Sequence, residues 1–131
     1  MLHILQPEGW AKPRGYANGI SARGRTIFVG GQIGWNQDNV FETDDLVEQI
    51  KQTLANIVAV LACDHAKPEH VTTMTWYFLD KHEYLSRASE IGKVYREIMG
   101  RHFPAMAAVQ VSGLVEPRAK VEIQATAVVP D

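Results

Sequence analysis

The chain has 131 residues, of which 46% are apolar and 21% charged, with a formal net charge of −2. Those figures describe one globular domain over residues 1–131, with enough apolar material for a core. They exclude the basic footprint of a nucleic-acid binder, and no apolar run reaches bilayer length, so neither nucleic acid nor membrane is an expected partner. The single cysteine, Cys63, excludes an internal disulfide framework, which suits a reducing compartment. At the end of a helix it is expected to be a small buried hydrophobe. The opening MLHILQPEGW has neither a basic start nor a long apolar segment. No signal peptide is expected, and the expected address is the cytoplasm.

In chain order, Leu2–Leu5 is a short strand candidate closed by Pro7. A Pro- and Gly-rich loop follows to Gly15, of the kind that lies on the surface and carries binding groups. Arg14 and Tyr16 are its notable side chains. Tyr16–Ser21 and Thr26–Val29 read as two strands joined by Ala22-Arg23-Gly24-Arg25, a β-hairpin pattern. The second strand runs into Gly30-Gly31-Gln32-Ile33-Gly34-Trp35, where three glycines call for a bend or a close approach. Neither Walker nor G-x-G-x-x-G spacing is present. Trp35 suits either a lid over a small cavity or an interface aromatic.

Asp45-x-x-Glu48 has the form of a helix-start capping box. Leu46, Val47, Ile50, Leu54, Ile57, Val58 and Leu61 then repeat at helical spacing. Val71–Leu79 is rich in β-branched and aromatic residues and predicts a strand with bulk on both faces, hence a central one. Asp80-x-x-Glu83 opens a second helix. Its stripe is Tyr84, Leu85, Ala88, Ile91, Val94, Tyr95, Ile98 and Met99, with Gly100 as the stop. The last two strands, around Val109 and Val111 and around Val121–Ala127, alternate with period two and are expected to pair about a turn at Val115–Arg118. Glu122 points away from Val121 and Ile123. It is either a solvated strand carboxylate or one in a cleft that holds water or trades a proton.

The order β, β, β, α, β, α, β, β predicts an α+β fold with one mixed sheet and two helices on one face. The uncovered face suggests an oligomer that packs sheets into a barrel. The five histidines show no zinc spacing, and no Ser or Cys stands in a nucleophile elbow.

Six segments in order resemble the Rid family, also called YjgF or UK114, whose active members are imine and enamine deaminases. They are Arg14-Gly15-Tyr16, Val29-Gly30-Gly31-Gln32-Ile33, Glu48-Gln49, Leu54-x-Asn56-Ile57, Phe103-Pro104-Ala105 with Val109, Val111 and Leu114, and Val121-Glu122-Ile123-x-Ala125-x-Ala127. The resemblance implies a chorismate-mutase-like fold and a homotrimer with a central barrel. It also implies three clefts between subunits that bind small carboxylates, with no metal or organic cofactor. It makes Glu122 the carboxylate that positions or activates water. Tyr16, Arg14, Gly31, Gln32, Trp35, Met106 and Ala107 are then the substrate-binding candidates.

One departure stands out. Met106 occupies the place of the family's signature arginine, and Ala107 that of the following hydroxyl residue. A thioether has neither the charge nor the donor fork of a guanidinium. Losing such a charged contact costs about 2–5 kcal/mol of binding. The expected activity is therefore hydrolysis of a small imine or enamine other than 2-iminopropionate. The alternative is a trimeric module that binds a metabolite or partner without catalysis.

Overall fold

The computed structural model describes residues 2–131, with β1 (Leu2–Leu5), β2 (Gly19–Ala22), β3 (Arg25–Ile33) and α1 (Leu46–Ala62) in its first half. The second half holds β4 (Val71–Phe78), α2 (Lys81–Ser86), α3 (Ala88–Met99), β5 (Ala105–Gln110) and β6 (Val121–Val129). The fold is α+β, as the element order implied. A four-stranded mixed sheet in the order β3-β6-β4-β5 carries the helices on one face. No helix among the described residues is long and apolar enough to cross a membrane.

Asp45 starts α1 by accepting a hydrogen bond from the Glu48 N–H at 3.0 Å, which satisfies one of the helix's orphan donors. Ile50, Leu54, Ile57 and Leu61 of its stripe are fully buried against the sheet. Each such side chain contributes roughly 1.5–3 kcal/mol by leaving water. α3 adds Ile91, Val94, Tyr95 and Met99 to the same core. From the sheet come Val71, Met74 and Trp76 of β4 and Val121, Ile123, Ala125 and Ala127 of β6. Gln49 is buried yet satisfied. Its amide donates to Thr43 O and Arg118 O and accepts from the Lys120 N–H, tying the loop before α1 to the start of β6.

The strand pairings differ from the expected ones in two places. β2 does not form a hairpin with β3. It pairs antiparallel with β1 as a separate two-stranded sheet, while β3 crosses to pair with β6. β3 and β6 are both nine residues long, and β6 is backed by α1, whereas four-residue β2 matches four-residue β1. Nor do β5 and β6 pair with each other. β4 lies between them, antiparallel to β6 and parallel to β5. The alternating β6 is suited to the sheet's centre, whereas Ala-rich β5 takes its edge. β5 ends at Gln110, so Val111 lies outside it, and Val109 is 42% exposed rather than buried.

The second helical run is broken. Arg87, at φ −111° and ψ 20°, separates α2 from α3. Its guanidinium is held by Asp45 at 2.5 Å and by Glu90 at 2.6 Å. The break leaves Leu85 and Ala88 of the expected stripe exposed. Cys63 is exposed as well, contrary to the expected burial. It caps the end of α1 beyond the last buried turn, and its thiol donates only to Ala59 O.

Candidate functional site

Two groups of candidate residues emerge, one on each face of the sheet. The first lies on the helix side. The loop after β1 returns to the sheet at Ala17, whose N–H donates to Pro104 O at 3.0 Å and which bridges Ala105. This contact holds Arg14 and Tyr16 beside the free edge of β5. Met106 and Ala108 stand in register with Met74 and Trp76, so they face the helices. Between the loop, the two strands, α2 and α3 is a cavity of about 480 Å³, walled by Arg14, Tyr16, Met106, Trp76, Tyr84 and Tyr95 among others.

Its walls are aromatic and fixed. The Tyr84 ring stacks on Phe78 with centroids 4.3 Å apart, and Tyr95 stacks on Phe103 at 5.4 Å. The Tyr95 hydroxyl donates to His102 O at 2.6 Å. Burial pushes both phenols above their ordinary pKa, so both stay protonated donors at neutral pH.

The second group lies on the open face. Between Val29 and Gln32 the ladder with β6 slips, so that Gly30 and Gly31 together oppose the single residue Gln124. This is a β-bulge, a device that re-aims the strand beside a site. It makes room for Glu122. A Cβ on Gly31 would stand 3.0 Å from the Glu122 Cδ and closer still to its Oε2. Only glycine lets the carboxylate lie against the backbone there. Glu122 is half-buried, stands across from Tyr77, and accepts no hydrogen bond among the described residues. The Gln32 amide donates to Gly30 O at 3.3 Å and steadies the bulge. Ala107 shares this face, in register with Thr75.

Within one chain, then, Arg14, Tyr16 and Met106 gather on one face and Gly31, Glu122 and Ala107 on the other. Trp35 joins neither. It packs on Phe41 at 5.7 Å in a small separate cluster with Ile33 and Ala119. Residue spacing marks Tyr84 and Tyr95 as core stripe and Trp76 as bulk on one face of a central strand, and it gives Arg96 no role; all four line the cavity. The break at Arg87, which exposes one flank of the stripe, carries no signal in residue spacing.

A family model described as Endoribonuclease L-PSP matches residues 11–129. The chain belongs to that family. A RutC family protein of Pyrococcus horikoshii is 31% identical, over 97% of this chain and 98% of its own. The 2-iminobutanoate/2-iminopropanoate deaminase of Capra hircus is 32% identical, over 79% of this chain and 73% of its own. Among solved structures, the Rid family protein YyfB of Yersinia pestis, described as of unknown function, superimposes with a TM-score of 0.86. It is 26% identical and covers 98% of each chain. E. coli TdcF, solved with bound serine, superimposes at 0.68 with 27% identity, covering 92% of this chain and 91% of its own. The chain is thus a Rid-family protein, with deaminase-named relatives at about this level of identity. Its Met106 fills the position that the resemblance assigns to the family's arginine.

Proposed function

We propose that this Rid-family protein hydrolyses a small imine in a cleft between subunits of a homotrimer, with a specificity different from 2-iminopropionate. The observation that carries the proposal is the bulge at Gly30-Gly31, which lays an unpaired Glu122 carboxylate against bare backbone. A carboxylate so held can accept a proton from water. The water oxygen bonds to the imine carbon as its proton passes to Glu122. That proton passes on to the nitrogen to complete the carbinolamine; its hydroxyl proton then moves by way of Glu122 to the same nitrogen, the C=O bond forms as the C–N bond breaks, and ammonia and a carbonyl compound leave. No net electron transfer occurs.

The cleft lies between chains because the two groups of residues face opposite ways in one chain. A neighbour's open face, brought against the edge of β5, would unite Glu122 and Gly31 with Arg14, Tyr16 and Met106. The likeness to TdcF with bound serine supports a small polar ligand. Arg14 replaces the missing charge at Met106 by reaching in from the loop.

The test is ammonia release from a panel of imines by wild type, Met106→Arg and Glu122→Ala. The panel holds 2-iminopropionate, generated in place from an amino acid and an oxidase, beside imines without an adjacent carboxylate. Wild type is expected to be poor on the first and active on one of the others. Met106→Arg is expected to gain at least tenfold on 2-iminopropionate, about 1.4 kcal/mol of the charge contact. Glu122→Ala should abolish both activities. The second reading, a binding module without turnover, is favoured by the same Met106. Ligand binding with no ammonia from any variant would establish it.

A further inference from the structure

The helix-side cavity holds three polar features that neither the core nor the ion pairs use. The first is the indole of Trp76. Its residue is 2% exposed and its ring forms part of the cavity wall. Among the described residues, its Nε1 is the one buried side-chain nitrogen or oxygen without a hydrogen-bond partner. A buried donor left unmet has lost water and gained nothing in return, so a ligand group that accepts from it gains affinity at this site. The neighbouring rings do not meet it. Tyr84 stands edge-on at 6.3 Å, and the Tyr95 hydroxyl is already bonded to His102 O.

The other two features are guanidinium groups, Arg14 and Arg96, both exposed and both at the cavity. Neither belongs to an ion pair among the described residues. Arg25, Arg87 and Arg118, by contrast, are each paired with an acid. Arg96 lies back along α3, with Nη1 3.2 Å from where a Cβ on Gly92 would stand. The bare turn at Gly92 lets the cation reach the cavity mouth. Met106, between floor and rim, adds only apolar surface.

We propose that the cavity takes an anionic ligand in the reverse sense to one anchored at strand β5. An uncharged acceptor, a carbonyl or imine-derived oxygen, accepts from the Trp76 N–H at the floor. The apolar body lies along Met106 and the tyrosines, and the carboxylate sits at the rim between Arg14 and Arg96. The substrate class is then an acid whose carboxylate is separated from its acceptor by an apolar spacer, rather than a short 2-imino acid. The inference rests on the cavity being the ligand's half of the proposed cleft, but not on catalysis.

Three matched probes test it: 4-oxo-4-phenylbutanoate, with both ketone and acid; 4-phenylbutanoate, with the acid alone; and butyrophenone, with the ketone alone. The chain has three tryptophans, so a nitrogen-15 spectrum shows three indole N–H signals, and Trp76→Phe identifies one by its loss. Both ketones should move the Trp76 signal downfield, and 4-phenylbutanoate should not. Trp76→Phe should weaken the keto acid about fivefold and leave 4-phenylbutanoate within twofold, the effect of one net hydrogen bond. Arg96→Ala should weaken both acids about threefold and leave butyrophenone unchanged.

A Trp76 signal that stays still with every probe overturns the proposal, and so does a keto acid that binds Trp76→Phe as well as wild type. Should that variant fail to fold, Trp10→Phe and Trp35→Phe assign the other two signals, and the remaining wild-type signal decides. An imine panel that yields no ammonia while the Trp76 signal moves would sink the hydrolase and leave this orientation standing.

Discussion

The two faces of strand β6 differ residue by residue. Val121, Ile123, Ala125 and Ala127 point into the helix-covered core and are buried. Glu122, Gln124 and Thr126 alternate with them on a face that no element among the described residues covers. Phe28, across from Thr126, is 79% exposed there. One face is closed by two amphipathic helices and carries the fold's stability. The other carries a carboxylate, threonines and a large aromatic ring that the single chain does not bury. The buried face and the proposed catalytic face are thus separated by one residue of register, since a one-residue slip would exchange them.

This separation can be tested by substitutions on adjacent residues. Glu122→Ala should lower turnover of the best imine by a hundredfold or more, as general acid–base groups contribute about 10²–10⁴. Its midpoint of thermal unfolding should stay close to wild type, since surface changes fall within about 0.5 kcal/mol. Ile123→Ala should do the reverse. It should cost about 2–5 kcal/mol in urea unfolding through the cavity it leaves, with the remaining folded protein still active. If both variants lost stability alike, the contrast between faces would be wrong.

Gly31→Ala probes the contact that joins backbone to carboxylate. The added methyl would displace Glu122, so turnover should drop about tenfold, with little change in ligand affinity on the Arg14 side. The smallest effect concerns Asp45, at the start of α1 and away from both faces. The Arg87 guanidinium first, and the Glu48 N–H with it, hold the Asp45 carboxyl below its ordinary value of 3.8. The contribution is therefore complete above that value and is lost as pH falls through the lower folded value. Both side chains are partly exposed, at 26% and 39%, so the effect is under about 1 kcal/mol. Thermal unfolding of Asp45→Asn should lie slightly below wild type at neutral pH and converge with it in acid.

Much of this was legible in the residues. Helical spacing gave α1 with its cap, because Leu46 to Leu61 bury one stripe against one partner. Period-two alternation in β6 gave the direction of Glu122. Pairing was less legible, because a strand's pattern says that a face is buried without saying which neighbour it lies beside. That is why β2 was expected beside β3 and β5 beside β6. The break at Arg87 depends on an ion pair with Asp45, 42 residues away in the chain, and no local window contains it. The glycines at 30 and 31 call for a bend or a close approach, and the bulge has both. Its occupant, Glu122, became clear only from the register. Trp76 read as core, and it is core. Its lone N–H becomes visible only when its neighbours are known.

In the proposed cleft, Glu122 of one chain works with Arg14 and Tyr16 of another. The most direct measurement is complementation between two inactive variants, Glu122→Ala and Arg14→Ala, co-expressed with different tags and purified as mixed oligomers. In a trimer that holds both variants, about one cleft in three receives both intact halves. Each parent should be inactive on the best imine, and the mixture should recover roughly that share of wild-type ammonia release. Mixed oligomers no more active than their parents would contradict it.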